Sequence, residues 1–172
     1  MKPIKMGVIG CGVIGNHHVN DATKSPLAEL VAVADIVEER AKSMAEKYGI
    51  PKYYTNEDDL LNDDSIEAVA LAMPAGVRIP IAYKALEKGK HVINEKPAAS
   101  NCAEIEKMIA MRGDLVVACC SPRNAFSGHA ESARKCVESG VLGKLRSVRF
   151  RAILSTPANP SDNPPPWRQS MK

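Results

Sequence analysis

Apolar residues along this chain come in short unbroken runs that alternate with amphipathic stretches. Ile4 to Ile9 is mostly apolar and leads at once into Gly10-Cys11-Gly12-Val13-Ile14-Gly15, which predicts a buried strand closed by a tight turn. A helix is expected from near Val13 to about Lys24, where Ser25-Pro26 stops it, because the residue before a proline is driven out of the helical region. Leu30 to Ala34 reads as a second buried strand that ends at Asp35. Val37, Ala41, Met44, Ala45 and Tyr48 then recur at helical spacing, with Gly49 as the stop.

The alternation continues. Lys52 to Tyr54 is a short strand, Glu57 to Leu61 a short helix, and Ala68 to Met73 a buried strand closed by Pro74. Ile79, Ala82, Tyr83 and Leu86 mark a helix that Gly89 ends, and His91 to Asn94 is a strand running into Glu95-Lys96-Pro97. Ser100 is the expected N-cap of a helix carrying Ile105, Met108 and Ile109, and Leu115 to Cys119 is expected as a sixth buried strand. Six apolar strands without in/out alternation, separated mostly by amphipathic helices, predict an α/β fold with a doubly wound parallel sheet covered on both faces. That domain is expected to occupy residues 1–122.

Beyond it the pattern changes. Asn124 to Gly140 reads as one more helix, and Leu145 to Ile153 alternates apolar with polar, the habit of a strand with one wet face. Residues 123–172 are therefore read as the first helix and strand of a truncated α+β second domain serving substrate binding or oligomerisation. A lone half-apolar strand with no sheet to join is an association hazard: either it pairs with another copy, making a homo-oligomer, or the chain is poorly ordered beyond about residue 145. The segment from Thr156 onward is rich in Pro, Asn and Ser and reads as loop.

Composition narrows the function. At 172 residues the chain has room for one domain and the start of another. Apolar residues at 45% and charged residues at 25% are those of a folded globular protein. The net charge of +3 is spread without a basic block, which argues against nucleic acid as a partner. No run is long and apolar enough for a membrane span or a signal peptide. The five cysteines form no Cys-x-x-Cys pair and read as reduced thiols of a soluble, cytoplasmic protein.

The glycine loop is the strongest local chemistry. Gly10 lets the strand turn, Gly12 leaves room for a pyrophosphate to approach the backbone, and Gly15 lets the helix pack close to the strand. The helix start at Val13 and Ile14 then offers unpaired N–H groups and the positive end of its dipole. Asp35, about 20 residues further on at the end of the second strand, is placed to accept hydrogen bonds from a ribose. Its charge would repel the extra phosphate of NADP, which favours NAD. Alternatively Asp35 caps the helix beginning near Val37, and both roles can hold together. Lys96, at the carboxyl end of a buried strand, is a candidate proton-handling group whose pKa desolvation or a neighbouring cation would lower; the plainer alternative is a surface ion pair before a turn.

Several motifs occur in one order: Gly-Cys-Gly-x-Ile-Gly-x-x-His from Gly10 to His18, Leu-Val-Ala-Val-Ala-Asp from Leu30 to Asp35, Ala-Leu-Glu-Lys-Gly-Lys-His-Val from Ala85 to Val92, Glu-Lys-Pro from Glu95 to Pro97, and Gly-Val-Leu-Gly-Lys-Leu from Gly140 to Leu145. Together they resemble the Gfo/Idh/MocA family of glucose–fructose oxidoreductases and inositol dehydrogenases, with Glu-Lys-Pro as the specific element. The resemblance implies a Rossmann fold and an NAD(P)-dependent oxidoreductase acting on a secondary alcohol of a sugar, sugar acid or cyclitol. Lys96 inherits the role of proton relay or substrate-orienting cation, Glu95 contacts near the nicotinamide ribose, and Ala72, Met73 and Pro74 the cofactor-lining loop. The chain departs from the family there, with Met-Pro-Ala where many relatives have Thr-Pro-Asn, and with Gly76-Val77-Arg78 in place of the usual polar pattern.

Relatives also continue past a Trp-Arg pair, here matched by Trp167-Arg168, into an Asp-x-x-x-His motif that this chain lacks. Binding of cofactor with little or no turnover is therefore expected; a non-catalytic sensor or partner-binding module is the alternative, and retention of Glu-Lys-Pro favours the enzyme. His17 and His18 lack acidic or thiol company in the sequence and read as surface or cofactor-adjacent groups rather than metal ligands. Cys119-Cys120 reads as core packing, Cys11 as a small residue tolerated in the glycine loop, and Arg123 as a residue near the cleft.

Overall fold

The computed structural model of the protein describes residues 2–121, 128–149 and 151. Six parallel strands, β1 (Ile4–Ile9), β2 (Ala28–Ala34), β3 (Lys52–Tyr54), β4 (Ala68–Leu71), β5 (His91–Glu95) and β6 (Val117–Cys120), lie in the order β3-β2-β1-β4-β5-β6. Helices α1 (Val13–Lys24), α2 (Glu38–Tyr48), α3 (Glu57–Leu61), α4 (Ala75–Glu87) and α5 (Cys102–Met111) connect them. β1 pairs with β2 on one side and β4 on the other. The strand order therefore reverses at β1, and the carboxyl ends there flank the crevice in which ligands of open α/β sheets bind.

Two apolar clusters explain why the central strands carry no polar alternation. Val8, Val33, Ala68 and Ala70 pack with Val19, Ala41, Met44 and Ala45 of α1 and α2. Ile9, Ala34, Val69, Leu71 and Val92 pack with Leu60, Ile79, Ala82, Leu86 and Met108 of α3, α4 and α5. Both sheet faces are dry at β1, β2 and β4, so successive residues are apolar whichever way they point. Lys90, buried just before β5, donates from Nζ to the carbonyls of Asp63 and Ile66 at 2.9 and 2.8 Å. This fixes the loop before β4 to the start of β5.

Three local expectations change. The N-cap of α5 is Asn101, whose side chain accepts from the Glu104 N–H at 3.0 Å, while Glu104 accepts in return from the Ser100 N–H at 2.8 Å. Asn101 has the acidic residue three positions on that a capping box needs, and Ser100 lies one residue too early. The β4 ladder stops at Leu71, paired with Ile9 and Asn94, two residues before Met73. The sixth strand is Val117–Cys120, and it is not buried: Ala118 and Cys119 are exposed. Among the described residues β6 is an edge strand, paired with β5 alone, so an apolar run there does not imply two covered faces.

The chain divides after Ser121 into two compact units. In the second, α6 (Gly128–Glu138) carries Arg134 between Glu131 and Glu138, at 2.8 and 2.7 Å. The expected helix start at Asn124 lies outside the described residues, as do Arg123 and Trp167-Arg168. Of the strand expected over Leu145–Ile153, residues 145–149 and 151 are described, and they form no strand and are exposed. An alternating pattern forms a strand only where a second strand pairs with it, and none is found among the described residues of this unit.

Candidate functional site

The candidate site is built on the carboxyl ends of β1, β2, β4 and β5. Gly10 takes φ +96, in the left-handed region that suits glycine, and a Cβ there would lie 2.7 Å from the Ala72 carbonyl oxygen. Its N–H donates to Ala34 O at 2.7 Å, and Ala72 N–H donates to Ile9 O at 2.8 Å. The turn is thus clamped between β2 and the end of β4. Gly15 packs on the Gly10 carbonyl so closely that a Cβ would overlap it. In front of Gly12 there is nothing within 4 Å, and α1 has no side-chain cap on its first turn. A dinucleotide fits these residues: the loop leaves room where a side chain would stand, and the helix start provides N–H donors and a positive dipole end.

Asp35 is half-buried at the end of β2. Its Oδ2 accepts from the Cys11 N–H at 2.8 Å, and its Oδ1 accepts from the Val37 N–H at 2.9 Å. It therefore ties the glycine loop to the start of α2, and since each carboxylate oxygen accepts more than one bond, both keep capacity for a ligand hydroxyl. Cys11 is buried and its thiol donates to Ala34 O at 3.5 Å; burial first, then the Asp35 charge, push it up to about 12. Arg40, whose positive charge also reaches Cys11, lines a cavity of about 350 Å³ with Asn16, Ser43, Met44 and Lys47.

At the other end of the site, Glu95 Oε1 lies 3.0 Å from His18 Nε2, and Glu95 Oε2 accepts from the Lys96 N–H at 3.1 Å. His18 is therefore not the isolated histidine its neighbours in sequence suggest; the sheet brings it a carboxylate and also the thiol of Cys120. Cys119 is exposed and Cys120 half-buried, so the pair is not core packing. Burial first, then the Glu95 charge, push the Cys120 thiol up. Lys96 is exposed, unlike the strand that precedes it.

Arg78, in the first turns of α4, escaped the sequence reading as a site residue. It is 1% exposed, donates from Nη1 to Met73 O at 2.8 Å, and donates from Nη2 to Pro97 O. Burial lowers its pKa, and the Glu95 charge acts in the opposite sense. Beside it the buried Asn94 donates from Nδ2 to Ala98 O at 2.5 Å. Arg78 Nε and Asn94 Oδ1 have no partner among the described residues. The loop Ala72-Met73-Pro74 and the turn Glu95-Lys96-Pro97 are thereby knitted by side chains that donate to backbone carbonyls. The only signal in the sequence was the break with the family pattern at Gly76-Val77-Arg78.

A six-stranded parallel sheet with a glycine turn after β1, an open helix start and an acidic residue closing β2 defines a dinucleotide-binding Rossmann domain. The profile of an oxidoreductase family with an NAD-binding Rossmann fold, the Gfo/Idh/MocA family, matches residues 4–113. The chain belongs to that family. It is 29% identical over 149 residues to a myo-inositol 2-dehydrogenase of Thermotoga maritima, covering 86% of this chain and 44% of that one. Among solved structures it is similar to scyllo-inositol dehydrogenase from Lactobacillus casei with bound NAD(H) and scyllo-inositol, with TM-score 0.75 and 28% identity over 83% of this chain and 43% of that one. It is similar also to a 3-ketoreductase from Actinomadura kijaniata in complex with NADP and TDP-benzene, with TM-score 0.75 and 27% identity over 81% and 43%. The chain thus spans less than half the length of these relatives. Their names are those of dehydrogenases and reductases and give the sensing alternative no support. No helix among the described residues is long and apolar enough to cross a membrane.

Proposed function

We propose that this chain binds NAD across the carboxyl ends of β1, β2, β4 and β5, as the cofactor-binding part of an oxidoreductase. The reaction interconverts a secondary alcohol and its ketone on a sugar, sugar acid or cyclitol. The observation that carries this reading is that the glycine loop and the Glu95-Lys96-Pro97 turn open on the same sheet edge, each tied to the loop after β4: Gly10 against Ala72, and Arg78 between Met73 and Pro97. Bound NAD supplies the hydride acceptor. Gly10, Gly12 and Gly15 with the N–H groups of Val13 and Ile14 hold the pyrophosphate, and Asp35 holds the adenosine ribose. Ala72, Met73 and Pro74 line the cofactor, Glu95 meets the nicotinamide ribose, and Lys96 orients the substrate hydroxyl and relays its proton. The names of the inositol dehydrogenases support the substrate class.

A specific observation favours NADP as a second reading: Arg40 and Lys47, against the single carboxylate of Glu39, line the open depression beyond the Cys11 end of the loop, where a cation would meet an added phosphate. Calorimetric titration of the chain with NAD⁺ and NADP⁺ separates the two. NAD⁺ is expected to bind more tightly, and Asp35→Ala is expected to erase that preference. Equal or reversed preference in the unaltered chain removes the discriminating role from Asp35 and gives it to Arg40. The five free thiols support a reducing, cytoplasmic setting. Ile109 and Val116, 60% and 59% exposed, support self-association, which sedimentation of the chain would test.

A further inference from the structure

We propose that His18, Glu95 and Cys120 form a binding site for a divalent cation of the zinc class. The three residues come from α1, β5 and β6, and each offers one ligand atom, all within 4.8 Å of one another. A hydrogen bond between His18 and Glu95 would suffice to orient a carboxylate; the thiol is the part that such a pair does not need. Imidazole nitrogen, carboxylate oxygen and thiolate sulfur together suit zinc, a borderline-soft ion that takes all three donor types.

The dimensions agree. With Zn–N and Zn–O near 2.0–2.2 Å and Zn–S near 2.3 Å, tetrahedral ligands stand roughly 3.3–3.6 Å apart. The His18–Glu95 separation of 3.0 Å and the outer limit of 4.8 Å lie on either side of that figure, so small side-chain rotations close the site. The side chains of His18 and Glu95 are 19% and 14% exposed, enough for an ion to enter and for water to fill the fourth position that a three-ligand zinc site leaves open. Binding moves two protons. His18 shifts its ring proton to Nδ1 to free the Nε2 lone pair, and the Cys120 thiol releases its proton to solvent. A carboxylate facing a thiol opposes that release in the empty site, and the cation reverses the opposition. The Arg78 charge also reaches Cys120 and weakens binding, although its guanidinium is committed to the Met73 and Pro97 carbonyls.

Titration of the full chain with Co²⁺ as a spectroscopic probe, then with Zn²⁺, tests the site without any dinucleotide. A thiolate-to-cobalt charge-transfer band that Zn²⁺ abolishes is expected. Cys120→Ser should remove the band, and His18→Gln should weaken Zn²⁺ binding by more than the roughly 10–100-fold that outer partners of a metal site cost. Cys119→Ser, altering the exposed neighbour, should change neither. Where a variant fails to fold, the unaltered chain still decides: Zn²⁺ should protect Cys120 from alkylation, read by peptide mass, and leave Cys102 and Cys136 unprotected. No band, a band that survives Cys120→Ser, or protection absent at Cys120 overturns the proposal.

Discussion

Gly12 and Gly15 lie three residues apart in one loop, and the structure assigns them opposite vulnerabilities. A Cβ on Gly15 would overlap the Gly10 carbonyl oxygen and stand 2.9 Å from its carbon, against an ordinary carbon–carbon contact of roughly 3.5–4.0 Å. Both partners are backbone, and the oxygen lies only 1.8 Å from that Cβ against an ordinary C···O approach of roughly 3.3 Å, so relief requires α1 to move away from the end of β1 by well over an ångström. Overpacking of this kind costs about 1–3 kcal/mol, while replacing glycine by alanine inside a helix returns up to about 1 kcal/mol through propensity. An overlap this deep puts the cost at the upper end, so the net expectation for Gly15→Ala is a loss of about 2 kcal/mol or more, with the helix start displaced. Gly12 has φ −78 and ψ −164, a conformation open to any residue, and nothing within 4 Å of an added Cβ. Gly12→Ala should therefore stay within about 1 kcal/mol of the parent, yet its methyl occupies the space assigned to the pyrophosphate. Urea unfolding and calorimetry with NAD⁺ would read both variants. Gly12→Ala is expected to bind NAD⁺ at least about tenfold more weakly, a difference near 1.4 kcal/mol, at nearly unchanged stability. A Gly15→Ala chain as stable as the parent would refute the packing argument, and a Gly12→Ala chain that binds NAD⁺ normally would refute the placement of the phosphates.

Three further outcomes are expected. Burial alone would raise the Asp63 carboxyl, but hydrogen bonds from Lys52, from the Ser65 hydroxyl and N–H, and from Tyr54 outweigh it and hold it well below the usual carboxylate range. A carboxylate depressed in the folded state stabilises above its unfolded pKa and loses that contribution as pH falls; Asp63→Asn should cost about 1–3 kcal/mol at neutral pH, narrowing below about pH 4, whereas a constant gap from pH 3 to 7 in urea melts would contradict it. Cys11, pushed up to about 12, should hold roughly one thiolate in ten thousand at pH 8 and resist iodoacetamide in the native chain; peptide mass analysis showing it labelled as fast as the exposed Cys102 would count against its burial. Because Glu95 serves both the nicotinamide ribose and the cation in the readings above, Zn²⁺ and NAD⁺ should weaken each other's binding by the same factor, and independent titrations would separate the two assignments.

The central strands were legible because a parallel sheet covered on both faces writes itself as unbroken apolar runs. Val69-Ala70-Leu71 needs no further information: two residues go to one helix layer and one to the other. The same grammar failed at β6. Its residues are as apolar as those of β4, but a run of hydrophobic residues does not say that its strand will be an edge, and Ala118 and Cys119 are exposed. The described residues of the strand expected over Leu145–Ile153, 145–149 and 151, form none for a related reason, since alternation records which face would be dry if a partner existed. The site divides along the same line. The glycine loop and Asp35 are local, within one strand-helix-strand unit, and spacing alone reached them. His18, Glu95 and Cys120 are brought together by the strand order β1-β4-β5-β6, and no window along the chain contains all three.

Binding and catalysis are also distributed differently in this unit. On the proposed reading, the groups that hold a dinucleotide are backbone N–H donors, glycine-made space and a carboxylate already fixed by Cys11 and Val37. The lysine proposed to relay a proton stands differently placed. Lys96 is exposed, and among the described residues the buried cation nearest in function, Arg78, has two of its nitrogens donating to Met73 and Pro97. The buried polar groups of this edge, Arg78 and Asn94, donate to the carbonyls of the loops around it. On the proposed reading, Lys96 acts where the substrate hydroxyl meets it, at the exposed end of β5.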